Sequence, residues 1–241
     1  MKKRPQKFRV LVTAGPTREH IDPVRYLSND SSGQMGFALA AAAREFGCDV
    51  TLVAGPVALA TPPGVRRIDV VTARQMRREV MRLAAKANVV IMAAAVADWR
   101  PAHTLKRKWK RRGTMSYVST LVRSYVSKTT KGLRKYQRTN VPTYQPTITL
   151  VENPDILAEL GKKKKPLQTL VGFALETDHL GRNAREKLER KNCDWIVANS
   201  ATAIGARKSR AILLNANGQR IPLPRLPKQD LAVVILSHIL G

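Results

Sequence analysis

The sequence predicts an α/β fold: a doubly wound, mostly parallel sheet with helices on both faces. Short apolar runs of strand length recur along the chain, and helical patterns separate most of them. The runs are near-continuous instead of alternating, as strands buried on both faces require. Several of them end in glycine, proline or a polar turn, so the chain leaves the sheet abruptly at the strand ends, where such folds bind ligands.

Residues 8–13 read as the first buried strand, ending in Ala14-Gly15-Pro16. Residues 36–47 are alanine-rich and close on Gly47, which marks a helix and its C-terminal cap. Residues 49–53 form a second strand, stopped by Ala54-Gly55-Pro56, and 66–71 a short third one. A helix is expected over 72–86, with Thr72 as its N-cap. Residues 88–97 give a fourth strand, 169–174 a fifth, 178–191 a helix and 194–199 a sixth strand. Asn217-Gly218 signals a hairpin between 212–214 and 220–222, and 230–240 a closing helix. Strands alternating with helices in this way define a Rossmann-like arrangement. The segments after Thr13, Val53, Ala97, Ala174 and Asn199 are therefore the places to look for function.

The 241 residues suit one domain and 44% of them are hydrophobic, enough for a sizeable core. Lys and Arg number 43 against 17 Asp and Glu, a net charge of +26 that favours polyanionic partners: nucleic acid, an anionic membrane, or a small molecule with several phosphates. Two cysteines and four scattered histidines exclude a disulfide scaffold and offer no metal-ligand spacing. The longest apolar run, 89–97, is far short of the roughly 20 residues of a membrane span, and the N-terminus lacks the apolar stretch of a signal peptide, so a cytoplasmic protein is expected. One stretch differs from the rest: residues 101–150 hold twelve Lys and Arg, with no acidic residue from Trp99 to Val151. Within it, 113–146 shows no helical or strand period and reads as a basic insertion or flexible excursion in a single domain.

Six segments are candidates for chemistry, each with an ordinary structural explanation beside it. In Thr13-Ala14-Gly15-Pro16-Thr17, Gly15 permits close approach of a phosphate; equally, this is a strand-to-loop turn. It is not G-x-G-x-x-G, which speaks against an ordinary dinucleotide site. The polar stretch 22–36 runs straight into a helix, setting Ser32 and Gly33 where helix amides meet an anion. There, Arg25 can clamp a carboxylate or phosphate and Asn29 can donate to a developing oxyanion. Asp98 closes the small-residue run 93–97, where a flat ligand fits; a solvated loop aspartate explains it as well. The basic run 106–112 can close over phosphates or be a solvated charge run. Asp155 can cap the helix that follows Asn153-Pro154-Asp155-Ile156-Leu157. Lys187 and Lys191 stand one turn apart on one helix face, as a solvated edge or a phosphate clamp, while Phe173 suits the core or a base stack.

Together, V-T-A-G-P-T-R-E, D-P-V-R-Y-L-S-N-x-S-S-G-x-M-G, A-A-A-V-A-D-W, N-P-D-I-L, V-G-F-A-L-E-T and A-R-E-K-L-E-R-K-N resemble the phosphopantothenate–cysteine ligase family, the synthetase part of the bacterial coenzyme A biosynthesis flavoprotein. The resemblance covers residues 8 to about 112 and 147 to about 200. It implies that 4′-phosphopantothenate attacks the α-phosphate of CTP to give an acyl-cytidylate, which the amine of cysteine then captures. It implies Mg²⁺ or Mn²⁺, and a homodimer. The flavin-binding decarboxylase half is not in this sequence, so the reading is of no FMN and of a separate decarboxylase subunit as a partner. By the same resemblance, Asn29 serves the second step with Arg25 beside it. Asp98, Pro154, Asp155, Ile156, Leu157, Phe173, Lys187 and Lys191 match nucleotide-binding positions, and Gly15, Ser32 and Gly33 join them as nucleotide-binding candidates on the chemistry of their turns. The family's lysine loop falls here on Lys108-Trp109-Lys110-Arg111, which makes Lys108 the lysine of cytidylate formation, with Lys106 as second choice.

Three rival readings stand beside this one. A nucleic-acid-binding protein would use the basic segment 100–138, although aromatic residues make up only 5% of the chain and leave few stacking platforms. A nicotinamide-dependent oxidoreductase needs a glycine fingerprint and an acidic end to the second strand, and both are missing from the sequence. A degenerate relative of the ligase would keep the fold and lose the activity.

Overall fold

The computed structural model describes residues 8–110, 147–176, 179–200 and 207–241. The basic segment 113–146 lies outside the described residues, as do Arg111, Arg112 and Asp178.

A central eight-stranded sheet carries the fold. Its strands are β1 (Arg9–Ala14), β4 (Asp49–Ala54), β5 (Arg66–Asp69), β6 (Val89–Met92), β9 (Thr169–Glu176), β10 (Trp195–Ser200), β11 (Lys208–Asn215) and β12 (Arg220–Pro227). They lie in the order β12-β11-β10-β9-β6-β1-β4-β5. The six strands from β5 to β10 pair in parallel, while β11 and β12 add antiparallel at one edge. The chain builds outward from β1 through β4 to β5, then returns to the other side of β1 for β6, β9 and β10. The crevice of this topology therefore opens between the carboxyl ends of β1 and β6.

Helices α1 (Gln34–Glu45) and α5 (Lys228–Leu240) cover one face. There Phe37, Leu39 and Ala40 pack with Leu231, Ile235 and Leu236 against Val12, Leu52 and Ile91. Helices α2 (Ala73–Ala84), α3 (Ile156–Lys163) and α4 (Leu180–Arg190) cover the other. Their Met76, Val80, Leu160 and Leu188 meet Leu11, Val53, Val90 and Leu170. Each fully buried aliphatic side chain contributes roughly 1.5–3 kcal/mol, so both helix layers are held firmly on the sheet. The doubly wound, mostly parallel reading is thus what the chain adopts. No helix among the described residues is long and apolar enough to cross a membrane.

Several expected boundaries shift, each for a local reason. Thr72 caps α2 as read, and Gln75 completes a capping box. The strand expected over 88–97 stops at Met92. Beyond it, the Ala94 amide donates to Thr13 Oγ1 (3.2 Å), the Ala95 amide to the Gly15 carbonyl (2.9 Å) and the Ala97 amide to Thr17 Oγ1 (3.0 Å). The end of β1 and the turn after it thus supply the partners a sheet neighbour would have supplied. The stretch around 22–36 is not all loop. Strands β2 (Arg18–His20) and β3 (Tyr26–Ser28) form an antiparallel ribbon. Glu19 fixes that ribbon to the body by accepting the Ala73 amide at the start of α2 (2.8 Å). A second ribbon joins β7 (Trp99–Pro101) to β8 (Leu150–Glu152). The hairpin strands around Asn217-Gly218 are longer than the sequence pattern suggested, eight residues each.

Candidate active site

Two adjoining cavities open at the carboxyl ends of the parallel strands. The first, about 410 Å³, is walled by Asp98, the stretch from Asn153 to Leu157, Phe173, Lys187, Arg190 and Lys191. The second, about 520 Å³, runs from Asn29, Ser32 and Gly33 across Ala93–Val96 to Asn199, Ser209 and Lys228. Ala94, Val96, Asp98, Phe173 and Lys187 border both.

Each wall has a local cause. The floor, 93–98, is pinned from two sides: Asn29 Nδ2 donates to the Val96 carbonyl (3.0 Å) and Asn153 Nδ2 to that of Ala97 (2.8 Å). The small side chains of the run keep the floor flat. At one end of the second cavity α1 starts from Gly33, whose left-handed backbone (φ 75°) reverses the chain. Among the described residues no side chain caps α1, and its first turn holds no acidic residue, so its leading amides are donors for an anion at that end. Gly36 sets how close this end comes. A Cβ there would lie 2.5 Å from Ala14 Cβ and 2.9 Å from the Thr13 carbonyl oxygen. Gly15 lines neither cavity but backs Gly33, whose own Cβ would come within 3.3 Å of it.

The first cavity is a matched set of charges. Asp155 caps α3 by accepting the Ala158 amide (2.9 Å), and its other oxygen pairs with Lys191 Nζ. Burial pushes the Asp155 carboxyl up. The Lys191 ammonium, the Ala158 amide and the nearby Lys187 charge outweigh that and hold it below its ordinary 3.8. A depressed carboxylate keeps its pair above the unfolded value and loses it as the pH falls through the folded one. Asp155 is therefore ionised at neutral pH. Lys191→Met should move its titration upward in an NMR pH series; an unchanged midpoint would show that the pair does not govern it. Lys187 Nζ donates to the Phe173 carbonyl (2.7 Å), which holds the ammonium on the shared wall. Asp98 is exposed at the rim. Behind Gly172, burial and then the Asp194 carboxylate push the Cys193 thiol up to about 12, which keeps it protonated at neutral pH.

The structure gathers Asn29, Ser32, Gly33, Asp98, Phe173 and Lys187 on the second cavity, and Asp98, Pro154, Asp155, Ile156, Leu157, Phe173, Lys187 and Lys191 on the first. It leaves Arg25 and Lys108 outside both. The Arg25 guanidinium bonds Asp22 Oδ2 (2.9 Å from Nε) and the Trp109 carbonyl (2.5 Å from Nη2). Sequence reasoning missed Asn153, Asn199, Ser209 and Lys228. Among the described residues, Asn153 Oδ1, Asn199 Oδ1 and Ser209 Oγ are buried without a hydrogen-bond partner, and the three residues line the cavities. Burial lowers the pKa of Lys228, whose Nζ donates to Gln34 Oε1 (3.3 Å) beside the start of α1. Asn153 stands in the N-P-D-I-L segment and Asn199 at a strand end, so these two were signalled in part, whereas Ser209 and Lys228 were not.

Fold and cavities together define an α/β domain of the Rossmann-like class that offers cationic and amide donors to an anionic ligand at its switch point. The chain belongs to the family of DNA/pantothenate metabolism flavoprotein C-terminal domains, whose model matches residues 6–125 and 122–241. Among its relatives is the Coenzyme A biosynthesis bifunctional protein CoaBC of Escherichia coli K12, 42% identical over 234 residues, 95% of this chain and 51% of that protein. The corresponding protein of Vibrio cholerae is 41% identical over 235 residues, 96% of this chain and 52% of the relative. This chain thus spans about half the length of the curated relatives it matches. A crystal structure of the C-terminal domain of CoaBC superposes with a TM-score of 0.74 at 36% identity, covering 97% of this chain and 94% of that one.

Proposed function

We propose that the chain is a phosphopantothenate–cysteine ligase that activates its acid with CTP. The observation that carries this reading is the pair of cavities meeting on Ala94, Val96, Asp98, Phe173 and Lys187. A ligase of this kind must bring a nucleotide and a second acidic substrate to one reacting phosphorus. The nucleoside sits in the first cavity, against Phe173 and the 154–157 stretch. Its triphosphate passes Lys187 toward the amides at the start of α1. The phosphopantothenate carboxylate approaches from the Asn29 side and attacks the α-phosphorus in line, releasing pyrophosphate. Carboxylate and triphosphate repel each other, and Lys187, Lys191, the α1 amides and the basic loop with Lys108 offset that repulsion. The cysteine amine then attacks the acyl carbon, an oxyanion forms beside Asn29, and CMP leaves as the amide is made.

A divalent ion, Mg²⁺ or Mn²⁺, fits this site as a passenger of the triphosphate. Among the described residues no three His, Cys, Asp or Glu side chains stand together. Mg²⁺ commonly binds through substrate phosphates, waters and one or two carboxylates, and Asp98 is the carboxylate that borders both cavities. When bound, the ion neutralises phosphate charge. The reading extends to a cytoplasmic homodimer.

Thermal denaturation with four ligands tests the proposal. CTP with Mg²⁺ at about 100 times its Kd should stabilise by about 2.7 kcal/mol, a Tm rise of about 5–10 °C. ATP, NAD and a DNA duplex should do less. A response to DNA alone, falling steeply with salt, would replace the ligase with a nucleic-acid-binding protein.

A further inference from the structure

The basic loop does not hang free from the second ribbon; it is stitched to the tip of the first. Thr104 Oγ1 donates to the His20 carbonyl (3.0 Å) and the Leu105 amide to that of Ile21 (2.9 Å). Four residues on, the Trp109 amide donates to Asp22 Oδ2 (3.0 Å), and its carbonyl accepts from Arg25. Residues 103–108 and Lys110 are exposed, whereas Trp109 is half-buried. Lys106, Arg107 and Lys108 therefore form an arch tied down at both ends.

Asp22 is the centre of this arrangement. It is fully buried, and its Oδ1 accepts the Val24 and Arg25 amides (2.8 and 2.9 Å), which fixes the ribbon tip. Its Oδ2 faces outward to the Arg25 guanidinium and the Trp109 amide at once. Bonds to an ionised carboxylate are roughly twice as strong as neutral ones, so one buried charge holds both the arginine and the loop.

We propose that Asp22 is a positioning residue: through Trp109 and Arg25 it latches the basic arch to the ribbon and so sets where Lys108 acts. The catalytic part of this inference rests on the ligase reading, whereas the latch itself does not. The test variant is Asp22→Asn. Its amide oxygen can keep the turn bonds, but its NH₂ then meets the Trp109 amide and the arginine, donor against donor; the flipped amide only moves the conflict to the turn. Trp109→Pro removes the loop's donor while leaving Asp22 and its turn intact, and Trp109→Ala keeps that donor.

Hydrogen exchange should rise about tenfold or more over 103–110 in Asp22→Asn and Trp109→Pro, and stay near wild type in Trp109→Ala. Unchanged exchange in both of the first two overturns the latch. In turnover, Asp22→Asn should lower kcat for pyrophosphate release about 100-fold, the scale of a displaced catalytic group, with CTP affinity retained. Adding Lys108→Ala should cost little more. Full additivity, or faster turnover in Asp22→Asn, overturns the positioning role. A wild-type chain without CTP-dependent activity would sink the ligase reading, and the exchange result would still judge the latch.

Discussion

Asn29→Ala is expected to stop the reaction halfway. Pyrophosphate should be released in a burst close to one equivalent per site, and the acyl-cytidylate should accumulate. Amide formation should fall about 10²–10³-fold, the usual effect of removing one oxyanion donor. The side-chain amide has two N–H bonds, one of which is spent on the Val96 carbonyl. That bond orients the amide plane against the floor both cavities share, which leaves the second N–H to donate to the oxyanion that forms as the acyl carbon becomes tetrahedral in the proposed reaction. The first step develops its charge on phosphate oxygens, which Lys187 and the α1 amides serve in the proposed arrangement, and it should be nearly unaffected. Rapid-quench kinetics with labelled CTP separates the two steps. Ordinary steady-state turnover in the variant would remove Asn29 from the chemistry.

How much of this was legible in advance follows from the range of the forces involved. Buried strands announce themselves through apolar runs, and the cap at Thr72 through local chemistry, so the sheet and its helices were readable. The ribbon β2–β3 was not. Its strands are three residues each, and they are secured by distant groups, Glu19 reaching α2 and Asp22 reaching Trp109. The early end of β6 was hidden for the same reason, since Thr13 and Thr17 replace a neighbouring strand from some 80 residues away. At the site, the residue types in 22–36, 153–157 and 184–192 were informative because they recur as blocks. Asn199, Ser209 and Lys228 carry no such signature, and only the order of the strands brings them to the second cavity. Arg25 shows the converse. Its charge suggested a substrate contact, but not that Asp22, three residues before it, and the Trp109 carbonyl hold Nε and Nη2 of its guanidinium.

Gly36→Ala is expected to damage stability and nucleotide binding together. The residue sits in the first turn of α1, where the helix end presses on the end of β1. An added methyl would stand 2.5 Å from Ala14 Cβ, 2.9 Å from the Thr13 oxygen and 3.0 Å from Ala14 Cα. These neighbours are backbone atoms and a Cβ at the end of an interior strand, so they cannot swing aside as a flexible side chain would. Alanine's better helix propensity returns at most about 1 kcal/mol, while overpacking costs typically about 1–3 kcal/mol and more where nothing yields. The remaining route is for the start of α1 to lift from the sheet, which carries its unpaired amides away from the phosphates they are proposed to meet. Urea or thermal unfolding should show a net loss of about 1–3 kcal/mol, a Tm lower by about 3–10 °C. CTP should stabilise the folded variant much less than it does wild type. If the variant lost stability but kept its full response to CTP, the triphosphate would have to bind away from α1, along Lys187 and Lys191 alone. Wild-type stability would mean that the end of α1 moves freely, and the anion site argued from its close approach would have no structural basis.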